Sequence, residues 1–305
     1  LASPLRECIR DRYWRRYKKI YRGIIVINIE SIKAKIRNLA KNNNLSSQEV
    51  LQMFRFERFL GRLSKSDYRS NFVIKGGFLV SSLIGINNRT TMDMDSTIKG
   101  IPLTEENITK VVDSIINIEV EDGIQFEIKD VNYIRESDEY ENFRVSLIAN
   151  IGKTKNPMKL DLTTGDVITP SEIEYSYPCI FNENDIRVFA YPIETIIAEK
   201  YESIIKRNIT TTRMRDFYDL YALYNLKKNE IDMDILKTAI IRTSSRRESL
   251  ETIKIADEII EDIKNDPYLL ELWNVYVSEN KYIGELSFDN VVDIVKIISE
   301  KTEDM

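Results

Sequence analysis

Residues 74–97 read IKGGFLVSSLIGINNRTTMDMDST, and this stretch decides our interpretation of the fold. A short apolar run ends at Gly76 and Gly77, and an apolar segment typical of a helix follows. The stretch then closes on Asp93 and Asp95 within a second apolar run. The pattern predicts a strand, a tight turn, a helix and another strand. Backbone N–H groups at such a turn can bind phosphate, although paired glycines also suit a plain turn with positive φ.

The two aspartates of this stretch are separated by one residue, Met94. Because successive side chains of a strand point to opposite faces, Asp93 and Asp95 share one face, about 6.6 Å apart along the strand. We expect Met92 and Met94 to face the core. The spacing lets the two carboxylates share one or two divalent cations such as Mg²⁺, which prefers oxygen ligands. A solvated strand edge is the alternative interpretation.

A third carboxylate appears in the segment MKLDLTTGD, where Lys159 and Asp161 share one face of a predicted strand. Pairing of the strands could bring Asp161 beside Asp93 and Asp95. Three carboxylates next to a phosphate-binding turn suit nucleotidyl transfer with two metal ions. We therefore assign Asp93, Asp95 and Asp161 as candidate metal ligands. A surface ion pair between Asp161 and Lys159 is the alternative.

The composition restricts the chemistry further. The chain of 305 residues contains no histidine, which excludes Ser-His-Asp, Cys-His and HExxH sites. Catalysis must then rest on carboxylates, lysines and arginines. Cys8 and Cys179 have no metal-binding or redox spacing, and we interpret them as ordinary thiols. No stretch approaches the roughly 20 apolar residues of a membrane span, so we expect a cytoplasmic protein without membrane contact.

Charge is unevenly distributed along the chain. Residues 1–23 hold eight Lys/Arg and two Asp/Glu, a net charge of +6. The remainder of the chain holds 36 Lys/Arg and 47 Asp/Glu, a net charge of −11. The basic segment is either a nucleic-acid arm or an extension that the fold does not need. The acidic remainder argues against a surface that coats DNA, but it permits a local basic groove.

Helical and strand patterns alternate up to about residue 170, and helical patterns follow. We expect an α+β protein with a mixed α/β domain at residues 1–170, in which 1–23 are a possible extension, and a helical domain at 171–305. Residues 169–192 are expected to link the two. The helical patterns of the second half cover residues 192–207, 213–227, 232–242, 249–264 and 287–301.

Two charged features of the second half do not fit a plain amphipathic helix. Lys200 lies within the apolar stripe of the predicted helix 192–207, where it must reach the surface, pair with an acid or meet a ligand. Asp216 and Asp219 are three residues apart on the next helix, and like charges at this spacing need compensation. Arginines of the same helix could supply it, or the aspartates could belong to a site.

Four motifs together resemble the abortive-infection nucleotidyltransferase toxins, the AbiEii/AbiGii family of bacterial toxin–antitoxin systems: KGG…RTTMDMD, MKLDL, AEKYESIIKR and TTRMRDFYDLYAL. The resemblance covers roughly residues 70–225, in the right order. It implies a nucleotidyltransferase-like domain followed by a helical domain, and an NTP substrate with Mg²⁺. It also implies phage defence by growth arrest, countered by a cognate antitoxin that often acts as a transcriptional regulator and need not bind directly. Family relatives add nucleotides to the 3′ acceptor end of tRNA, which makes RNA the expected acceptor.

Position by position, the resemblance implies site roles for individual residues. The implied catalytic residues are Asp93, Asp95, Asp161, Lys200 and Asp216. The implied nucleotide-binding residues are Lys75, Gly76, Gly77, Lys159, Glu199, Arg213, Arg215 and Asp219. Two positions depart from the family pattern. Phe78 replaces a small hydroxyl residue, which removes a phosphate contact, and Arg215 replaces a lysine, which keeps the charge but changes its shape and hydration.

Two other functions stay open at this point. The chain could be a module that binds NTP or RNA without chemistry, or a nucleotidyltransferase that modifies a protein or a small molecule. The residues alone do not choose the NTP, the acceptor or the antitoxin contact.

Overall fold

The structure is a computed structural model that describes residues 29–134, 142–152, 154–181 and 185–302. The predicted extension at residues 1–23 lies outside the described residues, and so does Cys8.

The described part of the chain begins with two helices, α1 (Ile29–Asn42) and α2 (Ser47–Leu63). A capping box starts α2: Glu49 N–H donates to Ser46 Oγ at 3.2 Å, and Ser46 N–H donates to the Glu49 carboxylate at 2.8 Å. Both faces of α2 are largely buried, and its aromatic residues reach the core. The helix therefore packs beneath the sheet as part of the core.

Seven strands form one mixed sheet in the order β3-β4-β5-β2-β1-β7-β6. The strands are β1 (Phe72–Lys75), β2 (Asp93–Ile98), β3 (Ile124–Tyr133), β4 (Asn142–Ile151), β5 (Thr154–Thr163), β6 (Ile173–Tyr177) and β7 (Ile186–Ala190). Strand β1 is antiparallel to β2 and parallel to β7, and β2 is parallel to β5. The strands that end on the glycines and carry the aspartates thus lie at the centre of the sheet.

Eleven α-helices occur in the described part of the chain. Helix α3 (Gly76–Ile84) follows β1 directly, and α4 (Glu105–Ile116) packs on β3. The other helices form the second half: α5 (Ile193–Arg207), α6 (Met214–Lys227), α7 (Met233–Arg246), α8 (Leu250–Ile253), α9 (Ala256–Asn265), α10 (Pro267–Glu279) and α11 (Phe288–Thr302). Helix α6 packs against α3, which joins the helical half to the sheet half.

The two faces of the sheet differ in polarity. Along β4 every second side chain is buried, and Met158, Leu160 and Leu162 of β5 are buried as well. The alternate residues of β2, β4 and β5 carry the polar and charged groups of the opposite face. Met94 faces the core as predicted, but the prediction for Met92 is wrong: it precedes β2 and is 49% exposed.

The α+β fold class, with a mixed α/β first part and a helical second part, is confirmed. Residues 169–192, expected to be a linker, contain β6 and β7 of the same sheet. The domain boundary near residue 170 remains a prediction. Helix α10 was not predicted, and the pattern at 249–264 corresponds to two helices, α8 and α9. No helix in the described ranges is long and apolar enough to cross a membrane.

Candidate active site

A cleft of about 1240 Å³ separates the polar face of the sheet from helices of the second half. Its walls come from β1, β2, β4 and β5 on one side and from α5, α6 and α10 on the other. Ligand pockets for small molecules have volumes of about 300–1000 Å³. The cleft therefore has room for a nucleotide and part of a second substrate.

Three predicted carboxylates line this cleft. In the parallel register of β2 and β5, Asp95 lies opposite Asp161, and Asp93 lies opposite Lys159. Asp93, Asp95 and Asp161 all border the cleft. Lys159 is exposed and is not among the residues that line it.

Among these three carboxylates, the pKa of Asp95 is clearly shifted from its ordinary value. Burial raises the pKa of Asp95 to about 6; the cation of Lys75 opposes this rise, and the charges of Asp161 and Asp93 add to it. The carboxylates are therefore close enough to repel one another. Positive charge from a cation or a substrate group would relieve this repulsion.

Asp161 already has a cationic partner, which sequence analysis missed. Arg144 lies opposite it on β4 and donates two hydrogen bonds to its carboxylate, at 2.8 and 2.6 Å. A bidentate pair of this kind occupies both carboxylate oxygens. Arg144 is the only charged residue of β4. An isolated arginine on an alternating strand must face polar surroundings, so the sequence pattern could have placed Arg144 on the polar face of the sheet.

The donor chemistry of Asp93 and Asp95 suits a hard cation such as Mg²⁺. Within the described residues, however, no three acidic side chains converge closely enough to form a ready-made metal site. Asp161, the third carboxylate, is held by two hydrogen bonds from Arg144. Metal binding by Asp93, Asp95 and Asp161 thus remains a prediction.

Lys75 ends β1 at the floor of the cleft. Its Nζ lies 2.7 Å from Asp166 Oδ2, and Asp166 also accepts hydrogen bonds from Thr97 and Thr163 at 2.6 Å each. Burial alone would lower the pKa of Lys75, but Asp166, with Glu199 and Asp95, outweighs burial and raises it. Lys75 is therefore a charged ammonium.

Gly76 and Gly77 form the first turn of α3, and each glycine makes a close approach possible. Gly76 has φ +65°, and a Cβ at this position would clash with the Asp95 carboxylate. A Cβ at Gly77 would lie 2.8 Å from Arg89 Nη2. No side chain caps the start of the helix, whose preceding residue is Lys75. The backbone N–H groups of this turn thus have no side-chain acceptor and can donate to another partner.

Lys200 is pinned by two carboxylates of α6. Its Nζ lies 2.8 Å from Asp216 and 2.7 Å from Asp219. Burial alone would lower the pKa of Lys200, but the two aspartates raise it. Asp219 is fully buried behind the cleft and also binds Arg89 Nε at 2.8 Å. The alternative in which α6 arginines neutralise these aspartates is wrong, because their partners come from elsewhere in the chain.

The remaining predicted residues lie around the cleft. Arg213 and Arg215 are exposed, line the cleft and form no ion pair with the described residues. Glu199 lines the cleft and is bound by Arg247 at 2.9 Å. Phe78 is buried and stacks on Tyr177, so its side chain does not reach the cleft.

Four charged residues that hold the predicted ones in place were not predicted from the sequence: Arg89, Arg144, Asp166 and Arg247. Two of them stand in or near the motifs of the resemblance. Arg89 begins RTTMDMD, and Asp166 follows the MKLDL motif by four residues. Their proximity to the motifs was the available signal, but their partners lie far away in sequence.

Comparisons with known proteins identify the family of the chain. A family model described as nucleotidyl transferase AbiEii toxin, type IV TA system, matches residues 58–294. This match confirms the resemblance that the four motifs indicate. No curated protein matches the chain.

Three solved structures are similar to the chain at low identity. A candidate nucleotidyltransferase from Helicobacter pylori has 19% identity and a TM-score of 0.47, and covers 85% of this chain and 98% of its own. JHP933 from Helicobacter pylori has 20% identity and a TM-score of 0.48, and the match covers 85% of this chain and 95% of JHP933. An antigenic nucleotidyltransferase-like protein from Paracoccidioides brasiliensis has 18% identity and a TM-score of 0.39, and the match covers 66% of this chain and 91% of that protein.

Proposed function

Because the chain belongs to the AbiEii nucleotidyltransferase toxin family of type IV toxin–antitoxin systems, we propose that it transfers a nucleotidyl group from an NTP to RNA. The proposed acceptor is the 3′ end of tRNA, and the consequence is growth arrest that a cognate antitoxin relieves. The observation that carries the proposal is the β2–β5 register, which sets Asp161 beside Asp95 on a cleft wall. Nucleotidyl transfer needs carboxylates grouped in this way.

In the proposed reaction, the 3′-hydroxyl oxygen of the acceptor bonds to the α-phosphorus of the NTP. The bond from that phosphorus to the bridging oxygen breaks, and pyrophosphate leaves. The hydroxyl proton passes to a carboxylate of the cleft, because the chain has no histidine to accept it. Lys75 and the N–H groups of Gly76 and Gly77 bind the phosphates, since cations and a helix start favour anions.

Bound Mg²⁺ would neutralise phosphate charge and activate the attacking oxygen. Asp93 and Asp95 have the donor chemistry to hold it. Asp161 has the same ligand chemistry, and each of its carboxylate oxygens keeps a second lone pair while it accepts a hydrogen bond from Arg144. Lys200 keeps Asp216 and Asp219 in place, and Arg213 and Arg215 present free cationic groups to the cleft.

The test is transfer of label from each NTP in turn to total tRNA. We expect label from one α-³²P NTP to appear on tRNA, no label from the γ-³²P form, and complete loss with EDTA. Asp93→Ala should reduce transfer at least about 100-fold, the usual cost of a group that stabilises the transition state. It should also relieve growth arrest while the protein stays folded.

Asp113→Ala is the matched control, because Asp113 is an exposed residue of α4 that does not line the cleft. A folded Asp93→Ala protein with wild-type transfer would contradict the assigned role. If label appears instead on a protein or a small molecule of a lysate, that molecule is the acceptor and tRNA is not. Saturable NTP binding without transfer to any acceptor would favour a binding module.

A further inference from the structure

Arg89 combines deep burial with a position on the cleft. It is 1% exposed and yet borders the cleft. Its Nε donates to Asp219 at 2.8 Å, and its Nη1 donates to the carbonyl of Thr90. Its Nη2 has no hydrogen-bond partner among the described residues. A buried polar group without a partner destabilises the fold, so an acceptor at this point would be favourable.

The unpartnered Nη2 lies over the start of α3. A Cβ at Gly77 would be 2.8 Å from Nη2 and 3.1 Å from Thr91 Oγ1, so Nη2 occupies the space that a side chain would fill. The same turn has no side-chain cap. Unsatisfied N–H groups and the positive end of the helix dipole meet a guanidinium donor here. An unpartnered guanidinium donor and the uncapped start of a helix thus both favour a multivalent anion.

We infer that Arg89 is a phosphate-binding residue: Nη2 and the backbone N–H groups at the start of α3 together bind one phosphate of the NTP triphosphate. Phosphate oxygens accept hydrogen bonds from both kinds of donor, and a guanidinium suits them better than an ammonium. Asp219 orients the guanidinium through Nε, which leaves Nη2 for the ligand. This inference rests on the proposed function and adds a triphosphate contact outside the residues assigned from the motifs.

A lysine at position 89 separates the binding role from the structural one. Lysine can keep the ion pair with Asp219, but it has no second donor group that reaches Gly77. The variant Arg89→Lys therefore retains a buried cation and loses the inferred phosphate contact.

The experiment measures binding of inorganic tripolyphosphate to the full chain by calorimetry, in EDTA so that metal does not contribute. We expect Arg89→Lys to weaken this binding about tenfold, equivalent to about 1.4 kcal/mol. Arg62→Lys is the matched control: Arg62 is 3% exposed, forms a bidentate pair with Asp122 and does not line the cleft. It should lose stability but bind tripolyphosphate as the wild type does.

A second arm distinguishes the two possible sources of phosphate. A single-stranded oligoribonucleotide with a 5′-hydroxyl tests the acceptor backbone, and its affinity should be the same for the wild type and Arg89→Lys. If Arg89→Lys instead loses oligonucleotide binding and keeps tripolyphosphate binding, the assignment to the NTP is overturned.

Equal tripolyphosphate affinity of the wild type and a folded Arg89→Lys protein would overturn the inference and leave the proposed function intact. Absence of both tripolyphosphate binding and label transfer in the wild type would overturn both. If Arg89→Lys does not fold, Gly77→Ala takes its place, because the added methyl group displaces Nη2. Unchanged tripolyphosphate binding by Gly77→Ala overturns the inference, whereas weaker binding supports an anion site at this turn.

Discussion

At the scale of single residues, the cleft floor depends on buried charges that neutralise one another. Lys75 and Asp166 form such a pair, with side chains only 11% and 10% exposed. Burial alone would raise the pKa of Asp166, but Lys75 and two threonine hydroxyls outweigh it and hold the pKa at about 2. Asp166 thus keeps Lys75 at the end of β1, where the phosphates are proposed to bind.

The lowered pKa predicts how stability depends on pH. The pKa of Asp166 is about 2 in the folded chain and about 3.9 in an unfolded one. The stability that Asp166 contributes is therefore complete above about pH 5, and is lost as the pH falls through the folded pKa of about 2, by about 3 kcal/mol in total. We expect Asp166→Asn to be less stable than the wild type near neutral pH.

Urea unfolding at several pH values checks this prediction. The gap between the wild type and Asp166→Asn should narrow steadily from pH 5 to pH 2. Asp113→Asn, an exposed substitution on α4, should show no such trend. A gap that stays constant over this range would contradict the assigned role of Asp166.

At the scale of elements, the junction between β1 and α3 brings a backbone turn against a strand side chain. Because Gly76 has no side chain, α3 can start directly over the Asp95 carboxylate of β2. The antiparallel pairing of β1 with β2 sets Lys75 opposite Asp95 and so fixes this approach. The proposed phosphate-binding turn and the acidic strand are therefore a single structural unit.

We expect Gly76→Ala to destabilise the chain more than Gly284→Ala does. Both glycines have positive φ, +65° and +68°, so each alanine costs about 1–2 kcal/mol of backbone strain. Only Gly76→Ala also forces a methyl group against Asp95, which adds about 1–3 kcal/mol of overpacking, since Gly284 has no atom within 4 Å of its Cβ position. Urea midpoints measure both variants, and equal losses would exclude the close approach.

At the scale of the whole molecule, an acidic chain presents a basic cleft wall. The net charge of the sequence is −5. Exposed cations nevertheless cluster on the helical side of the cleft: Lys206, Arg207, Arg213, Arg215 and Arg246. Such a local field can attract a polyanion that the remaining surface repels. The arrangement agrees with the local basic groove that the charge distribution permits.

The cleft cations predict a salt dependence of RNA binding. Replacing both Arg213 and Arg215 by Gln should lower the slope of log K against log salt by about 1.4, since each contact with single-stranded nucleic acid contributes about 0.7. The double substitution Arg37→Gln and Arg242→Gln is the control, because both arginines are exposed and outside the cleft lining. If both double variants show the same slope of log K against log salt, the RNA does not contact Arg213 and Arg215.

Local patterns in the sequence were sufficient for several features of the protein. The period-2 alternation of MKLDL identifies the buried face of β5, and the capping box identifies the start of α2. The Asp-x-Asp spacing places two carboxylates on one strand face. These features depend on residues a few positions apart, so backbone geometry alone determines them.

Only the tertiary structure decided which charges meet. Arg89 binds Asp219 across 130 residues of chain, and Arg144 binds Asp161 because β4 lies next to β5. The sequence left open whether arginines of the same helix or a site compensate Asp216 and Asp219, since it reports neighbours along a helix and not neighbours between elements. Strands β6 and β7 escaped recognition for the same reason: short segments become strands by pairing with a sheet edge. Pairing between distant segments depends on sheet order and helix packing, which are set by burial of the whole core.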